Sequence, residues 1–224
     1  MTTRCATNRT RGFTRIELLV VIGVLALVAA LLLPALAAAK RKSSRIGCVS
    51  ILKQTGIAFR LWEGDNGDKY PMQIVRTNSE TMKLLGNGNA YLLWQTKSNE
   101  LSTPKILHCP DDKQGTETVS FSQGFSDANI SYFFSLDAVE SCPQMILDGD
   151  DNLAVDGVRV KPGILNLWTN NSIAWTKERH RGSGNIGMAD GSVQQTTSAG
   201  LNRAIADSTN GVPTNAIPPR WVIP

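Results

Sequence analysis

The sequence predicts an α+β protein in which one long N-terminal helix is followed by a small antiparallel β-sheet domain. Three observations point there: an unbroken apolar run near the N-terminus, a helical stripe that continues past it, and short apolar segments separated by turn signals. The chain has 224 residues, 42% of them hydrophobic and 19% charged, enough for one or two domains and a real core. Its 19 Gly and 10 Pro are an ordinary complement, which excludes collagen-like and low-complexity classes. Of 23 Lys and Arg, three (Arg4, Arg9 and Arg11) lie in the first dozen residues, leaving 20 against 19 Asp and Glu. No basic surface of nucleic-acid type remains.

The helix begins with the run Leu18 to Ala39, LLVVIGVLALVAALLLPALAAA, which has no charged side chain and no Asn, Gln, Ser or Thr. At about 1.5 Å per residue it reaches roughly 33 Å and can cross a bilayer. A water-soluble amphipathic helix rarely lacks polar residues so completely. Arg4, Arg9, Arg11 and Arg15 precede the run and Lys40, Arg41, Lys42 and Arg45 follow it, so the positive-inside rule gives no clean orientation. Beyond it, Cys48, Ile51, Leu52, Thr55, Ala58, Phe59 and Trp62 recur at three- and four-residue intervals, a stripe suited to lie on a sheet. Gly56 weakens this stretch by about 1 kcal/mol relative to Ala. Gly64-Asp65-Asn66-Gly67-Asp68, with Pro71 beyond, stops the helix.

The remainder reads as short strands between turns: Ala90 to Gln95, Lys105 to Cys109, Ile130 to Leu136, Gln144 to Leu147 and Ile164 to Trp168. From Gly211 the tail carries Pro213, Pro218, Pro219 and Pro224 and should be extended, with Trp221, Val222 and Ile223 available to pin it. No repeat of 20–50 residues is present.

Glu17 stands at the edge of the apolar run, where a carboxylate is unfavourable. Such a charge implies a partner, and Arg15, two residues away, does not share its helix face. The run Arg11 to Leu19, RGFTRIELL, resembles the class III signal of type IV pilins and type II secretion pseudopilins. Gly12, Phe13, Thr14, Ile16 and Glu17 match that pattern, and Pro34, twenty-second from Phe13, matches the family's helix-bending proline. The resemblance implies cleavage between Gly12 and Phe13 by a prepilin peptidase and N-methylation of Phe13. It also implies that Glu17 meets the freed amine of a neighbouring subunit's Phe13 during assembly. Arg15 departs from the family's usual leucine, and its long stem can snorkel to the interface.

The segment Cys48 to Pro71 is similar to the Cys-x-x-x-Leu-Lys-Gln segment of a bacterial pilin-like group that also carries a C-terminal H-x9-DG signature. That signature is here as His180, Asp190 and Gly191; the middle of the chain matches loosely, at Cys109-Pro110-x-Asp112 and Ser131-Tyr132. Physically, Asp190-Gly191 is a two-residue hairpin signal of type I′, setting Met188 opposite Val193. His180 is expected to act structurally, by hydrogen bonding across that hairpin.

The implied organisation is a leader at 1–12, a transmembrane and assembly helix at 13–39, an exported helical half at 40–64 and a periplasmic β-rich domain at 65–224. The resemblance implies a pilin-like fold and a pseudopilin function, a structural subunit of a secretion pseudopilus or pilus-like filament. Its partners would be related subunits, the prepilin peptidase, an inner-membrane assembly platform and membrane lipid. The N-terminus would be cytoplasmic and the C-terminal domain periplasmic. Two other readings stay open: a secretory signal ending at Ala35-Leu36-Ala37 or Ala37-Ala38-Ala39, and an uncleaved anchor. Either would make the chain a secreted or membrane-anchored β-rich binding protein or, more weakly, an anchored hydrolase.

Loss of the leader removes Cys5 and leaves Cys48, Cys109 and Cys142. Cys109 with Cys142, each before a proline, is the preferred disulfide; Cys48 with Cys109 is close behind, and all three can stay reduced. In DGDDNLAVDG, Asp148, Asp150 and Asn152 alternate like the first half of a calcium loop. Leu153 and Arg159 stand where an EF-hand needs Gly and Glu, so the expected state is a solvated turn. Calcium is conceivable there because major pseudopilins hold it in a C-terminal loop. No hydrolase, Walker or dinucleotide motif occurs, so no enzyme activity and no required cofactor are expected. Zinc on His108, Cys109 and His180 is a remote option. Lys177, Glu178, Arg179, His180 and Arg181 read as a solvated, charge-mixed segment.

Overall fold

The computed structural model describes residues 12–167, 171–209 and 219–224. It consists of two compact units, one extending to Lys42 and the other beginning at Ser43. Helix α1 runs Arg15–Asp65 and contains Pro34. In the first unit its large apolar side chains from Leu18 to Leu36 are all exposed. The mean hydropathy reaches 3.0 over its most apolar stretch, so α1 is long and apolar enough to span a membrane.

In the second unit α1 buries Cys48, Leu52, Thr55, Ala58 and Phe59, the stripe its periodicity predicts; Ile51 and Trp62 are half-buried. The helix ends as the Gly-Asp cluster requires. Asn66 and Asp68 both donate to the Glu63 carbonyl, at 3.0 and 3.1 Å, and Gly67 and Asp68 adopt positive φ. Short helices follow: α2 (Pro71–Val75), α3 (Ser79–Gly86), α4 (Tyr91–Thr96) and α5 (Ser98–Leu101).

Two expected strands are therefore helical. Ala90 to Gln95 forms most of α4, because the Asp127 carboxylate accepts from Tyr91 N at 2.7 Å and Ala90 N at 3.2 Å and supplies a cap from a distant segment. Lys105 to Cys109 begins as a 3-10 turn, Pro104–Leu107, with the Thr103 side chain accepting from Lys105 N. Proline at the first position suits a helical turn and not a strand.

The remaining elements are β1 (Tyr132–Ser135), β2 (Ile146–Asp150), β3 (Leu153–Val155), β4 (Val158–Arg159), β5 (Gly163–Asn166), β6 (Ile173–Trp175), β7 (Ser183–Met188), β8 (Val193–Thr197), α6 (Ser198–Thr209) and β9 (Arg220–Ile223). β1, β2 and β5 occupy three of the expected strands, although Trp168 lies outside the described residues. The main sheet has the order β5-β9-β1-β2-β7-β8, and β4-β3-β6 form a second sheet. All these pairings are antiparallel.

Strands β1, β2 and β9 of the main sheet lie between two layers and are buried almost throughout, whereas the edge strand β8 is polar and mostly exposed. Tyr132, Phe134, Leu147 and Val222 share a core with the second-unit part of α1 and the short helices. Phe133, Ile146, Trp221 and Ile223 share another with β3, β6 and α6. Phe133 and Trp221 stack at 4.2 Å with an interplanar angle of 13°. The expected tail anchor at Trp221, Val222 and Ile223 is thus an interior strand; the preceding residues 210–218 lie outside the described ones.

Candidate functional site

Two regions carry the sequence's distinctive residues. In the first unit, Phe13 is exposed and nothing lies within 4 Å of where a Gly12 side chain would be, so the Gly12–Phe13 bond is accessible. Glu17 turns out to have a local partner. Its Oε2 accepts from Thr14 N at 2.8 Å and Thr14 Oγ1 at 2.6 Å, and Thr14 Oγ1 in turn accepts from Glu17 N at 3.3 Å. This is the reciprocal N-terminal box of a Thr-x-x-Glu sequence, a signal legible in TRIE and missed. It meets the hydrogen-bonding needs of Glu17 but leaves its charge unneutralised.

The second region lies under the H-x9-DG signature. His180, Arg181 and Gly182 all adopt positive φ, a left-handed run that costs a non-glycine residue about 1–2 kcal/mol. The run turns Arg179 and His180 inward. The expected solvated segment is therefore a correction: both are buried, while Lys177, Glu178 and Arg181 are exposed. Arg179 pairs with Asp151 and, at 3.4 Å, with Asp112, and it donates to Ser131 O at 3.0 Å.

His180 does not bond across the hairpin. Its backbone N–H donates to Asp111 at 2.9 Å, and Nδ1 lies 3.5 Å from that carboxylate. On the other side, Nε2 stands 3.5 Å from Cys109 Sγ and 3.5 Å from Asp150 Oδ2. Cys48, from α1, completes a buried group in which both sulfurs and the imidazole nitrogen lie within 4.8 Å of one another. Among the described residues this is the one such group of three metal-ligating side chains.

The electrostatics follow from burial and crowding. A hydrogen bond from Cys48 lowers the Cys109 thiol to about 5, against the opposing effect of burial and with help from His180. The same bond, followed by burial, drives Cys48 upward. Burial opposes charge on His180, but Cys109 and Asp150 outweigh it and raise its pKa. Asp150 is pushed up to about 6 by burial.

The cysteines take the reduced form, one of the alternatives the sequence leaves open. Cys48, Cys109 and Cys142 are free thiols, and the preferred Cys109–Cys142 bond is not formed, because Cys109 faces Cys48 and His180. His108 is not in the group. Both its ring nitrogens are buried without a partner, and its Nε2 lies 3.1 Å from the position of a Cβ on Gly115.

The calcium-like alternation of Asp148, Asp150 and Asn152 is the period-two alternation of a strand. Asp148 and Asp150 belong to β2, opposite Phe134 and Tyr132, and all three side chains are fully buried instead of solvated. Each is partnered separately: Asp148 with Thr55, Asp150 with Asn185 N and Nδ2 at 2.8 and 2.9 Å, and Asn152 with Thr176 O and Ser183 O.

The Asp190-Gly191 turn has three residues instead of two. Met188 N donates to Ser192 O and Gly191 N to Met188 O, and Val193 pairs with Gly187. Gly191 has φ +82, whereas Ala189 and Asp190 keep negative φ, so the turn is the bulged form with a left-handed glycine. The Asp190 carboxylate accepts from Ser192 N at 2.8 Å. The tip meets α1, where Arg60 donates to Ala189 O and a Gly56 Cβ would sit 3.9 Å from Gly191 Cα; Tyr70, just before α2, also donates to Ala189 O. The signature therefore contacts α1 at Cys48 through His180 and at Gly56 and Arg60 through its turn. That interval is about 12–18 Å of helix, a length β7 spans, which gives the nine-residue spacing a physical reason.

No protein-family model matches the chain, and no curated protein or solved structure matches it either.

Proposed function

We propose that the chain is a pilin-like structural subunit, a pseudopilin, inserted in the inner membrane, cleaved after Gly12 and assembled through its N-terminal helix into a periplasmic or surface filament. The observation that carries this reading is Gly12-Phe13-Thr14-x-Ile16-Glu17 directly before the uncharged run Leu18 to Ala39. A charge there is unfavourable, and capping α1 with Thr14 does not require it to stay unneutralised. The local box at Thr14 supplies hydrogen bonds and no positive charge, so the amine of a neighbouring subunit's Phe13 remains the neutralising partner. Helix packing in the filament replaces lipid around the exposed apolar surface, and Glu17 sets the axial register. The work lies in the assembly, and no substrate bond is broken.

The test is the mature N-terminus of the native protein, read by intact mass spectrometry of the membrane fraction. A chain beginning at N-methylated Phe13 supports assembly. A terminus at Lys40 supports secretion of a binding protein, an intact Met1 supports an anchor, and either overturns the proposal.

A further inference from the structure

We propose that Cys48, Cys109 and His180 form a zinc site that fastens the second-unit part of α1 to the sheet. The site goes beyond the assembly reading and does not depend on it.

The two sulfurs and the imidazole nitrogen lie within 4.8 Å of one another, close enough to share one metal ion. With Zn–S near 2.3 Å and Zn–N near 2.0–2.1 Å, neighbouring sulfur and nitrogen ligands stand roughly 3.5 Å apart. Cys109 Sγ and His180 Nε2 are 3.5 Å apart, and Nε2 is 3.5 Å from the Asp150 carboxylate. Asp150 Oδ2, held by Asn185 N and Nδ2, places a carboxylate beside the group without entering it. Asp111 beside Nδ1 is placed to orient the ring from behind, as carboxylates do for metal-bound imidazoles.

A Cys48–Cys109 disulfide is the competing outcome, and three features speak against it. It would leave the His180 imidazole buried without a role, leave Asp150 Oδ1 unsatisfied, and give no reason for the left-handed backbone at His180. The donor set selects the metal: thiolate and imidazole suit zinc, whereas calcium and magnesium require oxygen ligands. All three ligands are buried, and they join α1 to the sheet domain, the setting of a structural metal. On binding, each thiol that is still protonated releases its proton to solvent and coordinates as thiolate.

The experiment uses the full chain, purified from membranes in mild detergent with a removable non-histidine tag. Elemental analysis is expected to give one zinc per chain, with Cys48 and Cys109 unreactive to alkylation until a chelator is added. Cys48→Ser, Cys109→Ser and His180→Ala should each lose the zinc, while Cys142→Ser and His180→Cys keep it. Because ligand variants can fail to fold, wild-type protein exchanged with cobalt supplies a second reading, the visible absorption of a tetrahedral cobalt–thiolate centre. Zinc retained by Cys48→Ser or Cys109→Ser overturns the proposal. So does a metal-free chain two daltons lighter with Cys48 bonded to Cys109, or a reduced chain that takes up neither zinc nor cobalt.

Discussion

Thr55 Oγ1 lies 2.5 Å from Asp148 Oδ2 and 3.0 Å from the Leu52 carbonyl, and a hydroxyl has a single proton to donate. With Asp148 ionised the one proton of Thr55 is shared between two acceptors; with Asp148 protonated, its O–H donates to Thr55 and Thr55 donates to Leu52, so each bond has its own proton. Burial pushes the Asp148 carboxyl up to about 7, in agreement with that arrangement. The two residues join α1 to β2 in the middle of the core.

A titratable link of this kind gives a pH signature. The folded value, about 7, exceeds the ordinary 3.8, so the native state holds the proton more tightly. The stability this contributes is complete below about pH 4 and is lost progressively as pH rises to 7, at about 1.4 kcal/mol per pH unit. Lys97, which burial drives well below its usual value, and Asp150 also act on Asp148, and both remain in an Asp148→Asn variant. Wild type should therefore lose melting temperature relative to Asp148→Asn between pH 4.5 and 7.5, with the difference level above that. Parallel curves would remove Asp148 as the proton carrier.

Glycines in β7 give a steric prediction. A Cβ on Gly184 would come within 2.6 Å of the Trp175 ring, and one on Gly187 would collide with the Asp148 carboxylate. Gly184→Ala and Gly187→Ala should each cost about 2–4 kcal/mol by forcing a packed core apart. Gly64→Ala, near the exposed end of α1 with nothing within 4 Å, should be neutral or stabilising by up to about 1 kcal/mol. Denaturant melts of the three variants separate steric collision from a general intolerance of alanine.

The pairing of Thr14 with Glu17 separates capping from assembly. Thr14→Val removes the side-chain cap, worth about 1 kcal/mol of helix stability, and keeps the Glu17 charge. Thr14→Val should still enter filaments, whereas Glu17→Val should insert in the membrane and fail to assemble. Incorporation of Glu17→Val at the wild-type level, measured by pull-down with tagged subunits, would show that the carboxylate serves the cap alone.

Trp221 tests the interior position of β9. It is buried and stacked on Phe133, so Trp221→Ala should cost about 3–5 kcal/mol. Deleting residues 219–224 should prevent folding, because β1 and β5 lose their shared neighbour. Circular dichroism and proteolysis of the deletion variant check this.

Legibility divided along the range of the forces involved. The extent of α1 could be read because its determinants are local: an apolar run, a stripe of constant period and a Gly-Asp stop. Strands β1, β2 and β5 were visible as apolar clusters. α4 is not legible, since Asp127 caps it from another segment, and the helical turn at Pro104–Leu107 is set by a proline just outside the apolar segment. The candidate site was legible only in pieces. His180 and Cys109 were each singled out, but no pattern in the sequence announces that Cys48, Cys109, Asp150 and His180 converge from four separate segments. Asp148 and Asp150 were noticed for the right spacing and given the wrong cause, because alternation in a loop and alternation in a buried strand look alike until the layers on either side are known.

The position of Arg220–Ile223 between β5 and β1 has a consequence for biogenesis. Its neighbours are synthesised well before it and wait with a gap where their shared partner belongs. Until Arg220–Ile223 has been synthesised, β5 therefore has no neighbour through which to join the rest of the main sheet.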